Sequence, residues 1–122
     1  MKECTVSRKT LAKGFRNYQK VFIALGDETR LQIILALLDS PNIGMRVPEI
    51  TEQTHLSRPA VSHHLKVLKD VGLIGMHRQG TRNYYYMDAN VTCWHGLRGL
   101  IDEVDDLVKH AAQEGYPHLE EE

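Results

Sequence analysis

The chain has 122 residues, of which 42% are hydrophobic and 25% charged, and its formal net charge is −1. That balance is the one of a soluble globular protein with a single core of ordinary size. No apolar run approaches the roughly 20 residues of a membrane helix, the N-terminal stretch lacks the apolar core and cleavage site of a secretory signal, and two cysteines are too few for a disulfide framework. The expectation is one cytoplasmic domain over residues 1–122 with no membrane partner. Its core is expected to span about residues 8–112, between a flexible N-terminal arm and an acidic C-terminal tail. The small net charge hides a segregation: residues 1–30 carry +4, 31–56 carry −2, 57–86 carry +4 and 87–122 carry −7. Two basic regions beside an acidic body suit a surface for a polyanion, although solvated charge alone would also produce the pattern.

From about Ser7 to Leu25, the residues Leu11, Phe15, Tyr18, Val21, Phe22 and Leu25 recur at steps of three and four, which predicts one amphipathic helix ending near Gly26. Asp27 suits the N-cap of a second helix, Glu28 to Leu38, with Leu31, Ile34, Leu35 and Leu38 as its apolar face. A short helix from about Pro48 to Thr54 follows the break at Ser40 to Asn42. His55 to Ser57 form a three-residue turn, and Ser57 is placed to cap the next helix, which has Pro59 in its first turn and Gly72 at its end. Two short helices joined by so brief a turn read as a helix-turn-helix. LIGMHR and RNYYYMD then read as the strands of a β-hairpin joined by Gln79, Gly80 and Thr81. The last helix runs from about Val91 to Ala112 with Trp94, Leu97, Leu100, Ile101, Val104, Leu107, Val108 and Ala111 on one broad face.

The stretch SRPAVSHHLKVLKDVGLI, Ser57 to Ile74, holds two adjacent histidines. At about 100° per residue, Val61, Leu65, Leu68 and Gly72 form the buried stripe, while Pro59, Ser62, Lys66 and Lys69 lie opposite. His63 joins the outward set and His64 sits at the edge of the apolar arc with Ala60 and Val71, so the two rings cannot readily converge on one ion. His64 reads as a partly buried structural histidine. His63 reads as a contact residue among the donors Arg58, Ser62 and Lys66, which suit phosphates and base edges. The hairpin loop Arg78, Gln79, Gly80, Thr81, Arg82 has a cation at each end and a flexible glycine between, and can follow a phosphate backbone. Such tips are common on any surface; beside the basic helix this one completes a winged helix-turn-helix, a mainly α fold with a small β-hairpin.

The segments ALGDETRLQIILALL (Ala24 to Leu38), LSRPAVSHHLKVLKDVGLI (Leu56 to Ile74) and RQGTRNYYYM (Arg78 to Met87) resemble, in that order, the signature segments of the ArsR/SmtB family of winged-helix repressors. The likeness covers about residues 18–112 and is most specific over the S-H-H-L-K segment. It implies a homodimer built from the first and last helices, a palindromic double-stranded DNA operator, and release by an inducer. It also implies contacts to the major groove by Ser57, Arg58, Ser62, His63 and Lys66, with Arg78, Thr81 and Arg82 on the wing. The residues themselves add Lys69 and Gln79 to those contacts. They also support the dimer, because Leu11, Phe15, Tyr18 and Phe22 of the first helix, and Trp94, Leu97, Ile101, Val104 and Val108 of the last, offer more apolar face than a thin core can cover.

The resemblance further implies that some relatives sense metals. RVPEIT, Arg46 to Thr51, lacks the Cys-x-Cys pair of one such group, and Asp88-Ala89-Asn90 lacks the histidine of another. A remnant zinc-type site would draw on Cys93, His95, Asp102, Asp106 and His110, of which all but Cys93 share one polar stripe; a solvated acidic face is the plainer reading. Cys4 and Cys93 flank the helices expected to pair and are candidates for a thiol switch. A protein-interaction module built on the same winged helix, without DNA binding, is the competing function, and no constellation of catalytic residues points to an enzyme.

Overall fold

The computed structural model describes residues 8–41, 44–88 and 92–114, and Cys4 lies outside them. Its elements are α1 (Arg8–Asn17), α2 (Gln19–Leu25), α3 (Glu28–Leu38), α4 (Val47–Thr54), α5 (Arg58–Asp70), β1 (Gly75–Gln79), β2 (Arg82–Tyr86) and α6 (Thr92–Glu114). They form two compact units: one is Gln19–Trp94, and the other joins residues up to Tyr18 to those from His95 onward.

In the larger unit each helix begins and ends where local chemistry dictates. Asp27 caps α3 by accepting a hydrogen bond from the Arg30 N–H at 3.0 Å. At α4 the Glu49 carboxylate reaches back to the Arg46 N–H at 2.9 Å, and Pro48 sits in the first turn, where its missing donor costs little. The helix ends at His55, whose φ of 62° turns the chain toward α5. Ser57 caps α5 through its Oγ, which accepts from the Ala60 N–H at 3.2 Å. α5 closes on Gly72 at φ 88°, with Leu73 N–H bonded to Leu68 O and Gly72 N–H to Lys69 O, the pattern of a Schellman cap.

The wing is an antiparallel pair running from Gly75↔Tyr86 to Gln79↔Arg82, so Gln79 belongs to the strand, and the turn is Gly80 and Thr81 alone. A two-residue turn follows the strand twist best with a positive φ at its first position, and Gly80 supplies it at 64°. Met45, just ahead of α4, exchanges two backbone hydrogen bonds with Tyr85 at 2.9 and 2.8 Å and ties the wing to the helix-turn-helix. Ile33, Ile50, Val61, Leu65, Leu68 and Leu73 are fully buried at the centre of this unit. Trp94, at the start of α6, donates its indole N–H to Leu73 O at 2.7 Å.

In the smaller unit α1 and α6 interlock through glycines. A side-chain carbon on Gly14 would meet Leu100, and one on Gly96 would collide with the Tyr18 hydroxyl, whose ring fills that notch. Leu11, Leu97 and Leu100 are buried.

Two expectations are corrected. The first helix is not continuous to Leu25: it is interrupted at Tyr18, whose N–H bonds to Gly14 O and Phe15 O. The apolar face of α3 is also not Leu31–Ile34–Leu35–Leu38. Ile33, Ile34, Ala36 and Leu37 are buried, while Leu31, Leu35 and Leu38 are exposed by 41%, 56% and 60%. The segment is apolar almost all round, so its periodicity does not single out a face.

Candidate nucleic-acid interface

Helix α5 has two chemically distinct faces. Val61, Leu65 and Leu68 are wholly buried against the unit, and this anchors the helix. On the other side Ser57, Arg58, Ser62, His63, Lys66 and Lys69 are all exposed. The same is true of Arg78, Gln79, Thr81 and Arg82 at the wing tip, so every side chain expected to touch DNA is open to solvent and lies on one compact unit.

Two of these cations are steered by neighbours. Lys66 Nζ lies 2.9 Å from Asp70 Oδ2. That hydrogen bond, with the positive charges of Lys66 and Lys69, holds the Asp70 carboxyl below its ordinary value. Both side chains are well exposed, so a phosphate can displace the carboxylate at small cost. Arg78 donates from Nε to Gly80 O at 3.1 Å, which ties its guanidinium to the turn from within β1.

His63 and His64 diverge as the helix geometry requires. The His63 side chain is exposed, His64 is half-buried, and their rings meet edge to face with centroids 5.2 Å apart. His64 has a partner that the sequence reading did not identify: Arg30 Nη1 lies 3.2 Å from its Nδ1. The available signal was a cation in the first turn of α3, the end of a helix where positive charge is disfavoured.

The remaining candidates are more dispersed. Phe15, Ile101 and Val108 are exposed by 38%, 51% and 52%, Tyr18, Phe22, Trp94 and Val104 are half-buried, and Leu11 and Leu97 are buried within the chain itself. On α6, His95, Asp102 and Asp106 are exposed, and His110 Nε2 is paired with Glu114 Oε2 at 3.1 Å. Burial pushes the Cys93 thiol up, which makes it a poor thiolate. Among the described residues no three histidine, cysteine, aspartate or glutamate side chains stand close enough to hold a metal ion. Also among the described residues, no helix is long and apolar enough to cross a membrane. A shallow cleft of about 320 Å³ lies between α3 and α4, lined by Gln32, Leu35, Ala36, Asp39, Gln53, Thr54 and His55.

Comparison with known proteins agrees with this architecture. An HTH-type transcriptional regulator of Mycobacterium tuberculosis, Rv2034, is 36% identical over 105 residues, covering 86% of this chain and 90% of the relative. The arsenical resistance operon repressor of Bacillus subtilis is 34% identical over 95 residues, covering 78% of this chain and 84% of the relative. Among solved structures, the homodimeric winged helix-turn-helix DNA-binding domain Mb0332 from Mycobacterium bovis superposes with a TM-score of 0.58 at 28% identity, covering 98% of this chain and 96% of that one. The family model for bacterial regulatory proteins of the arsR type matches residues 27–75, the segment from the α3 cap through the helix-turn-helix to the first residue of the wing. With that match and relatives of this identity and coverage, the chain belongs to the arsR family of bacterial regulatory proteins.

Proposed function

We propose that the chain is a homodimeric, sequence-specific transcriptional repressor that places α5 in the major groove of a palindromic operator and lays the hairpin wing along the backbone. The observation that carries this reading is the division of α5 between a wholly buried apolar stripe and an exposed row of hydroxyl, imidazole and cationic donors. A rigidly anchored helix presenting donors outward is what base-edge readout requires. Exposed Phe15, Ile101 and Val108 supply an apolar surface for a second copy, and the Mycobacterium bovis neighbour is a homodimer. Two recognition helices would then meet half-sites about 34 Å apart.

A small effector releases the operator. The sequence offers two candidate classes. One is a divalent transition metal such as zinc at His95, Asp102, Asp106 and His110 with Cys93, which would first have to be drawn together because no three such side chains converge among the described residues. The other is an oxidant acting on Cys4 and Cys93, against which burial of the Cys93 thiol counts. The Bacillus subtilis relative's name points to arsenicals, but RVPEIT offers no cysteine pair for one.

Selection from a random-duplex library at moderate salt tests the reading. A palindrome should be enriched, its affinity should fall linearly on logarithmic axes with salt, and repetition with zinc, other divalent ions, and oxidant then reductant should identify the effector class. Arg58→Ala and Lys66→Ala should each weaken binding, by at least about fivefold for a base-contacting arginine. Unchanged binding in both variants would sink the proposed surface, and failure on every duplex at every salt would favour a protein partner.

A further inference from the structure

Arg30 is the meeting point of three elements. Its Nε donates to Ala24 O in the last turn of α2 at 3.0 Å, and its Nη2 lies 3.8 Å from Oδ2 of the capping Asp27. Its Nη1 reaches 3.2 Å from His64 Nδ1 in the middle of α5, and the arginine side chain is only 12% exposed. A guanidinium has donors and no acceptor, so Arg30 donates and Nδ1 accepts, leaving the single ring proton of neutral His64 on Nε2. The buried stripe Val61–Leu65–Leu68 anchors α5 against the core, and because apolar contact is non-directional the fine angular setting of its outward face is left to polar contacts at its edge. The bond from Arg30 is directional and sits one residue from His63 on the outward face.

We propose that the Arg30–His64 contact is a latch that positions α5 for operator binding and stays closed only while the His64 ring is neutral, so that acid weakens operator binding through this ring. The proposal rests on the operator-binding reading above, and both residues act as positioning residues. A protonated ring would set a second N–H and a second positive charge against the guanidinium, with no acceptor between them. Among the described residues Asp27, Arg30 and His63 are the charged and titratable groups that act on the ring. Burial, Arg30 and His63 favour the neutral form; only Asp27 opposes them, and its Oδ1 is already engaged by the Arg30 N–H. The net effect holds His64 below its ordinary value.

The sign of the pH effect is diagnostic. Any exposed histidine that gains a proton adds positive charge and strengthens attraction to DNA, whereas protonation of His64 is expected to weaken binding. Affinity for the selected duplex is measured between about pH 8 and about pH 5.5, spanning the ordinary imidazole value, in His63→Gln and in His63→Gln/His64→Gln. Glutamine retains an acceptor for Arg30 but does not titrate. The Kd of the single variant should rise about fivefold toward acid, the scale of one lost hydrogen bond, and the double variant should show no rise. Nitrogen-detected NMR of the His64 ring adds a readout independent of DNA: Nδ1 should be unprotonated near neutral pH, and the titration should move up in Arg30→Gln, or in the uncharged Arg30→Met where the glutamine variant folds poorly. Equal pH slopes in the two glutamine backgrounds, or an unmoved His64 titration in the Arg30 variants, would overturn the latch. If no duplex is bound at any pH, the operator reading fails and the proposal with it, even where NMR shows the Arg30–His64 bond intact.

Discussion

Arg30 stands in the first turn of α3, where a positive charge opposes the helix dipole, yet its side chain is nearly buried and bonded to Ala24 O and His64 Nδ1. Its placement gives His64 a consequence for stability as well as for binding. Because the folded ring resists protonation and the unfolded ring does not, the unfolded chain takes up more protons as pH falls below about 6.5. The stabilisation is therefore complete above that value and is lost as pH falls through the lower folded value. The urea midpoint should drop more steeply with acid in the wild type than in His64→Gln; parallel curves would remove this ring from the acid response. At the helix start Ser57→Ala should cost about 1 kcal/mol in chemical denaturation by leaving the Ala60 N–H without its cap. The divergence of His63 from His64 was legible in the sequence because adjacent helical residues point about 100° apart whatever the fold. The Arg30 bond was not, because its partners lie 34 residues apart and periodicity carries no information across such a gap.

Helix boundaries were legible wherever a residue's own chemistry, a capping side chain or a glycine's freedom to take a positive φ, closes the helix end. Asp27, Ser57 and Gly72 each sit where their local chemistry places them. The face of α3 was not legible, because a helix apolar on nearly every side leaves the choice to its neighbours, which bury Ile33, Ile34 and Leu37 and leave three leucines in solvent. The interruption at Tyr18 was equally hidden, since its residue spacing continues a helical pattern unbroken, whereas the ring fits a notch made by Gly96, far along the chain. That fit gives a prediction for the α1–α6 unit. Gly96→Ala should cost about 1–3 kcal/mol, read as a fall in the denaturation midpoint, because the Tyr18 hydroxyl must leave the space the new methyl takes. The wing tip was legible in kind but off by one residue, because Gln79 pairs with Arg82 and leaves a tighter turn than its composition suggests.

At the scale of the whole molecule, the apolar residues of α1 and α6 divide by what they face. Leu97 is buried in its own unit, and Leu97→Ala should lower folding stability by about 2–5 kcal/mol. Ile101 is half in solvent, and Ile101→Glu should leave helical content intact while shifting sedimentation from dimer to monomer; an unchanged dimer would move the subunit interface elsewhere. The Met45–Tyr85 pairing acts on a different axis, that of time. It joins segments about forty residues apart, and closing so long a loop costs on the order of 3 kcal/mol of chain entropy. The hairpin can form locally in microseconds, whereas its attachment to Met45 is expected to follow the packing of the intervening helices. That junction is expected to open more readily than α5, so the amides of Met45 and Tyr85 should exchange with solvent faster than those of the wholly buried Leu65 and Leu68. If those amides exchange first, the wing is a part that can come loose while α5 stays folded, so the two surfaces expected to meet DNA differ in how firmly they are held.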